Sequence, residues 1–125
     1  MRIACGITTA LRRVSYLKET IASVEAAGFE LALVAEDREL AGPYRNFKRT
    51  VRMLLGDPYA EAVAVFQDDV QVAANLKGWL DRNGWPDDPE RIGVVSLYTA
   101  FPHHRNRTGW HRLPLQVGDS SDSDP

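Results

Sequence analysis

Short apolar runs alternate along the chain with segments in which apolar residues recur every three or four positions. Residues 2–8, 30–35 and 62–66 form nearly continuous apolar runs, and a fourth run covers 92–98. Runs of this length are typical of strands that are buried on both faces. The segments between them have helical spacing, so the sequence predicts the order β-α-β-α-β-α-β. That order favours an α/β fold with a parallel sheet and helices on both of its faces.

The predicted helices are marked by apolar faces and by residues that end them. The first, about 15–27, carries one apolar face and is expected to end at Gly28, since glycine readily follows a helix C-terminus. The second follows Gly42 and Pro43, and four of its apolar residues share one face: Phe47, Val51, Leu54 and Leu55. A short third helix is indicated by three further apolar residues: Leu76, Trp79 and Leu80.

Length and composition fit one folded domain. The chain has 125 residues, of which 44% are hydrophobic and 26% are charged, as in ordinary globular proteins. Fifteen Lys and Arg against seventeen Asp and Glu leave a net charge of −2, which gives no support to general polyanion binding. No apolar run reaches the roughly 18–20 residues of a membrane span. The N-terminus begins directly as a strand without a signal segment, so a cytoplasmic location is expected.

Two kinds of site are disfavoured by the sequence. The single Cys5 lies within an apolar run, where a small buried hydrophobe is the expected role rather than a nucleophile. Neither Gly-x-Gly-x-x-Gly nor Gly-x-x-x-x-Gly-Lys occurs. The chain therefore lacks the phosphate loops that are typical of dinucleotide oxidoreductases and P-loop NTPases.

Polar residues follow each predicted strand. The first three strands end in pairs: Thr8 and Thr9, Glu36 and Asp37, Asp68 and Asp69. The fourth is expected to end near three further polar residues: Ser96, Tyr98 and Thr99. Ligands of open parallel sheets bind beyond the carboxyl ends of the strands, so these residues mark the candidate site. Adjacent carboxylates repel one another, and a cation or a set of hydrogen-bond donors is expected to compensate them.

The pair Asp68 and Asp69 has two interpretations from the residues alone. Carboxylate oxygens are ligands that Mg²⁺ and Mn²⁺ prefer, and these ions usually bind one or two protein carboxylates together with substrate phosphates. On that interpretation the pair bridges a divalent ion to a diphosphate. On the other interpretation, one of the two aspartates caps the helix or turn that follows. The dipeptide itself leaves both open.

Four segments resemble, in order and spacing, the glycosyltransferases of the GT-A fold, in particular those similar to family 2, which includes many bacterial inverting enzymes. The segments are a strand with its following helix (2–9 and 16–28), a second strand with a terminal acid (33–37), a Gly-x-x-x-Asn helix start (42–49) and a Gln-Asp-Asp motif (65–70). The last is similar to the family's Asp-x-Asp metal-binding region. Residues 91–99 look like the strand that follows this motif.

The resemblance implies a Rossmann-like nucleotide-binding half that takes a nucleotide diphosphate sugar, with Mn²⁺ or Mg²⁺ as the cofactor. It assigns seven residues to substrate binding: Thr8, Thr9, Glu36, Asp37, Arg45, Asn46 and Asp68. Asp69 is implied as the main metal ligand, with Asp68 approaching the ribose or the metal. The ion would neutralise charge on the diphosphate leaving group. From the residues alone, Arg45 is equally a surface residue, and Asn46 is equally an N-cap for the helix at Phe47.

The chain departs from the family pattern in two ways. Gln67 stands where an acidic residue is common. The resemblance covers about residues 1–112, which corresponds to the donor-binding half, and 113–125 form an acidic tail expected to be disordered. The fold is therefore expected to be truncated, with no counterpart of the acceptor half and its catalytic base.

The missing acceptor half leaves the activity open between two classes. Sugar transfer is expected to be incomplete, and no catalytic residue is assigned. The alternative is a non-catalytic module that binds a nucleotide or a protein. On either interpretation, a homodimer would cover the apolar surface that truncation exposes.

Overall fold

The computed structural model of the chain describes residues 1–10, 14–86 and 94–97. The chain divides into two compact units, Met1–Gly84 and Trp85–Pro125. The first unit contains six alternating elements: β1 (Ile3–Thr9), α1 (Val14–Ala26), β2 (Leu31–Glu36), α2 (Pro43–Leu54), β3 (Ala62–Gln67) and α3 (Leu76–Asn83). This order confirms the predicted α/β class and the predicted order through the third helix.

The three strands form one parallel sheet in the order β2-β1-β3. The central strand β1 pairs with both neighbours, so that Thr9 lies beside Glu36 and Thr8 lies beside Gln67. All three strands run in the same direction, and their carboxyl ends therefore lie along one edge of the sheet. The arrangement is consistent with a Rossmann-like sheet.

The core forms around the central strand. Cys5 and Ile7 of β1 and Val24 of α1 are completely buried. Helix α2 lies close to β1 because Gly6 has no side chain there: a Cβ at this position would lie 3.1 Å from the Leu54 Cδ1. The nearly continuous apolar run of β1 thus reflects burial of a central strand on both faces of the sheet.

The end of α1 agrees with its prediction. Gly28 has a φ of 101°, a left-handed conformation that glycine adopts without strain. Its N–H donates to the Glu25 carbonyl, and the Phe29 N–H donates to the Val24 carbonyl. These bonds satisfy carbonyls at the helix end and turn the chain into β2. The Phe29 ring then packs edge-on against Phe66 of β3, with 5.4 Å between ring centroids.

The packing face of α2 differs from the apolar face read from the sequence. Its buried residues are Asn46, Thr50 and Leu54, which recur every four positions and face the sheet. Phe47 and Leu55 are 44% and 64% exposed. The helix is therefore rotated so that two polar side chains replace apolar ones against the sheet. Hydrogen bonds compensate their burial: Asn46 bonds to β2, and the Thr50 Oγ1 donates to the Asn46 carbonyl at 2.7 Å.

The fourth strand, predicted for 92–98, is not formed over 94–97, the part of that range within the description. Val94 is exposed, which a buried central strand would not allow. An apolar run alone does not guarantee pairing with a neighbouring strand. Tyr98, Thr99 and the tail at 113–125 lie outside the described residues. In the described parts of the chain, no helix combines the length and the apolar character needed to cross a membrane.

Candidate functional site

The carboxyl ends of β1 and β3 meet where the direction of chain winding reverses. From β1 the chain passes through α1 to β2 on one side, and from β2 it passes through α2 to β3 on the other side of β1. Ligands of open α/β sheets bind in the crevice at such a switch point. This point brings together four of the predicted site residues: Thr8, Thr9, Asp68 and Asp69.

A buried hydrogen bond connects these two strand ends. The Thr9 Oγ1 donates to the Asp68 Oδ2 at 2.6 Å, and the two residues are only 4% and 5% exposed. From α1, the Thr20 Oγ1 donates to the main-chain carbonyl of Asp68, also at 2.6 Å. Asp68 is thus held at both its side chain and its backbone, which orients the turn that follows β3.

Asp69 follows this anchored residue and is exposed to solvent. The two aspartates occupy the turn directly after β3. Neither is the N-cap of α3, because that position belongs to Asn75. The helix-cap interpretation of the pair is therefore wrong for α3, whereas a role of Asp68 in fixing the turn is supported by its contacts.

Asp37 builds the loop between β2 and α2. Its Oδ1 accepts the Ala41 N–H at 2.9 Å, and its Oδ2 accepts the Gly42 N–H at 2.8 Å. Its own N–H donates to the Thr9 carbonyl at 2.9 Å. The carboxylate is buried, and backbone N–H donors compensate its negative charge. The sequence allowed either a cation or such donors beside the acidic pair.

Asn46 connects α2 to the end of β2. Its Nδ2 donates to the Ala35 carbonyl at 2.9 Å, and its Oδ1 accepts from the Arg49 Nη2 at 2.8 Å. The helix N-cap is Gly42, so the N-cap interpretation of Asn46 is wrong. Both ends of this buried amide are bonded within the protein, and it acts as a support between helix and sheet.

The remaining predicted residues lie at the same sheet edge but are more accessible. Glu36 ends β2, and its carboxylate accepts the Arg38 Nε–H at 2.9 Å. Arg45 is exposed in the first turn of α2, which begins at this edge because it follows β2. Thr8 is half-buried, with its Oγ1 3.5 Å from the Phe66 carbonyl oxygen.

Two contributors to this region were missed by sequence reasoning. Thr20 anchors Asp68, and Arg49 bonds both to Asn46 and to the Glu36 carbonyl, the latter at 2.9 Å. Thr20 carries a signal in the sequence, since this polar residue lies three positions after Leu17 and four before Val24, on the apolar side of the predicted helix. Arg49 carries none, because an exposed arginine in a basic helix has no distinguishing pattern.

Among the described side chains, a divalent cation fits only if phosphate oxygens and waters supply most of its ligands. These residues contain no group of three or more His, Cys, Asp or Glu side chains that could hold a metal. Mg²⁺ and Mn²⁺ often use only one or two protein carboxylates, with phosphate oxygens and waters as the other ligands. Exposed Asp69 beside anchored Asp68 meets that smaller requirement, so the site would depend on a phosphate-bearing ligand.

Cys5 takes no part in this site. It is fully buried in β1, and this burial raises the pKa of its thiol to about 12. A thiol with so high a pKa is not deprotonated at neutral pH and is a poor nucleophile. The expected role as a small buried hydrophobe is confirmed.

No protein-family model matches the chain, and comparisons with curated proteins and with solved structures find no significant match. A fold of this class supports many different activities. The information about function therefore lies in the side chains at the switch point.

Proposed function

We propose that this chain is a nucleotide-binding domain of the glycosyltransferase type, which binds a nucleotide diphosphate sugar together with Mn²⁺ or Mg²⁺. One observation carries the proposal: the Thr9–Asp68 hydrogen bond holds an exposed aspartate, Asp69, at the switch point of a parallel sheet. Switch points are where this class of sheet binds its ligands. An exposed carboxylate there suits a cation that accompanies phosphate groups.

In this proposal the two aspartates have different tasks. Asp68 is a positioning residue, because its side chain and backbone are bonded to Thr9 and Thr20. Asp69 is the cation ligand, because it follows that anchor and is open to solvent. A bound cation would neutralise negative charge on the diphosphate as the bond to the sugar breaks.

The sheet edge also provides groups for the rest of the nucleotide. Arg45 is an exposed cation in the first turn of α2 and suits a phosphate or ribose contact. Thr8 offers a hydroxyl at the end of β1, and Glu36 offers a carboxylate at the end of β2. Asp37 and Asn46 support the proposal indirectly, since they shape the loop and hold the helix that carries Arg45.

A non-catalytic binding module is the second candidate function. It is favoured by the internal bonding of Asp37 and Asn46, two side chains that the resemblance assigns to the nucleotide. A domain that only binds needs fewer groups facing its ligand than one that also drives transfer. Release of free sugar or its transfer from a nucleotide diphosphate sugar in the presence of Mn²⁺ would eliminate this candidate.

Calorimetric titration with UDP and with GDP, with and without Mn²⁺, tests the binding itself. We expect one nucleotide to bind in a Mn²⁺-dependent manner, and Asp69→Asn to weaken that binding without changing the fold. The matched control is Glu30→Gln, which removes an exposed carboxylate before β2, at the opposite edge of the sheet. Absence of Mn²⁺-dependent binding to either nucleotide, or equal binding by Asp69→Asn and wild type, would overturn the proposal.

A further inference from the structure

Helix α2 carries an apolar stripe that its packing on the sheet does not use. The stripe comprises Tyr44, Phe47, Val51 and Leu55, spaced three or four positions apart and therefore on one side of the helix. Tyr44, Phe47 and Leu55 are exposed, and Val51 is half-buried. The core uses a neighbouring side of the helix, formed by Asn46, Thr50 and Leu54. Large apolar side chains grouped in this way indicate an interaction surface.

Two exposed apolar residues flank the helix. Leu40 precedes it and is 76% exposed, and Tyr59 follows it and is 75% exposed. Leu40 has a φ of 53°, a left-handed conformation that is unfavourable for a residue with a branched side chain. The buried Asp37 carboxylate holds this loop through the N–H groups of the two residues that follow Leu40. The protein thus maintains a strained backbone at a position where an apolar side chain faces solvent, which points to a function for that side chain.

A basic flank lies beside the apolar stripe. Arg45, Lys48 and Arg52 recur every three or four positions on the adjoining side of the helix, and the Lys48 Nζ lies 4.5 Å from the centre of the Tyr44 ring. No acidic residue occurs between Pro43 and Leu54. The helix is therefore strongly positive although the whole chain has a net charge of −2.

We propose that the apolar stripe, Leu40 and the basic flank form a docking surface for an anionic lipid bilayer. Amphipathic helices that lie in the membrane interface combine aromatic and aliphatic residues on one side with Lys and Arg on the other. Tyrosine suits the headgroup region, and long basic side chains reach the lipid phosphates while their aliphatic parts stay near the hydrocarbon. The surface shares Arg45 with the proposed nucleotide site, and its other residues lie outside that site, so the proposal goes beyond nucleotide binding.

The charge of the docking surface favours an anionic bilayer over a second copy of the chain as its partner. Two copies docked through α2 would bring two exclusively basic helices together, and like-charge repulsion opposes that contact. An anionic bilayer instead attracts every cation of the basic flank. A lipid surface also adapts to apolar side chains that are spread over a loop and a helix, whereas a protein partner needs a matching rigid pocket for each.

Co-sedimentation of the full chain with lipid vesicles tests the proposal. The vesicles consist of phosphatidylcholine alone or of phosphatidylcholine mixed with phosphatidylglycerol. We expect binding to the mixed vesicles only, with a marked decrease at high salt. Lys48→Gln with Arg52→Gln should lower the partition coefficient roughly 30-fold, since each cation near an anionic surface contributes roughly fivefold. Phe47→Ser should also weaken binding, and its exposed position leaves the core intact.

Matched controls lie on α1, where Tyr16 and Lys18 are exposed. Tyr16→Ser and Lys18→Gln should bind the mixed vesicles like wild type. Leu40→Gly should reduce binding while leaving the free energy of unfolding unchanged or higher, because it relieves the left-handed leucine. Equal sedimentation with both vesicle types, or equal binding by the α2 variants and the α1 controls, would overturn the proposal. So would a dimer in light scattering that Phe47→Ser dissociates, because the stripe would then be a protein interface.

Discussion

The Thr9 hydroxyl and the Asp68 carboxylate are 2.6 Å apart, although the two residues are 59 positions apart in the sequence. Their hydrogen bond joins the central strand to the end of β3 between two residues that are almost fully buried. It therefore serves stability and site geometry at once. The exposed Asp69 owes its position at the switch point to this buried contact.

Removing the Thr9 hydroxyl is expected to destabilise the protein. Thr9→Val preserves the shape of the side chain but removes one donor to a buried carboxylate, which should lower the free energy of unfolding by about 1–3 kcal/mol. The matched control is Thr8→Val, because the Thr8 hydroxyl is half-buried and lies 3.5 Å from its acceptor, too far for a strong hydrogen bond. Its effect should stay within about 0.5 kcal/mol. Urea denaturation measures both, and equal losses would show that the Thr9–Asp68 bond has no special weight.

Substitution of the adjacent residues Arg45 and Asn46 should affect different properties, nucleotide binding for Arg45 and stability for Asn46. Asn46→Ala leaves the Ala35 carbonyl without its side-chain donor and should lower the free energy of unfolding by about 1–3 kcal/mol. Arg45→Ala should change it by less than about 0.5 kcal/mol while weakening nucleotide binding. Denaturant unfolding and calorimetry together separate the two roles. A stable Asn46→Ala variant that loses nucleotide would instead make Asn46 a ligand-binding residue.

Gly6 is expected to be intolerant of a side chain. A Cβ there would lie 3.1 Å from the Leu54 Cδ1 and 3.3 Å from the Thr50 Cγ2, so Gly6→Ala should destabilise the protein by about 1–3 kcal/mol. In a Leu54→Ala background the same change should cost less, because the first of these contacts is gone. A double-mutant cycle measures this coupling. An identical cost in both backgrounds would mean that the helix does not press on Gly6.

The Cys5 thiol should be unreactive in the native protein. With a pKa raised to about 12 by burial, it remains almost entirely protonated at neutral pH and still at about pH 9, so its reaction with Ellman's reagent should be far slower than that of an ordinary thiol at both pH values. In urea it should react as fast as the protein unfolds. Rapid labelling under native conditions would contradict its position in the core.

Local patterns predicted most of the described elements because each depends on neighbouring residues. The apolar run at 62–66 and the glycine after α1 are examples, since burial on both faces and a left-handed turn both leave local signals. The roles of Asn46 and Phe47 leave no such signal. Which side of α2 faces the sheet depends on how closely the helix approaches Gly6 and on acceptors offered by β2, both distant in sequence.

The sequence by itself determined the alternation of strands and helices, the parallel sheet and the polar residues at its carboxyl edge, because periodicity and strand ends are local properties. Only the tertiary structure decided which of those polar residues are buried and which are exposed to solvent. Asp37, Asn46 and Asp68 are buried and bonded to protein groups, whereas Arg45 and Asp69 are exposed. The reason is physical: a buried polar group must find its partners within the fold, and those partners come from segments that only folding brings together.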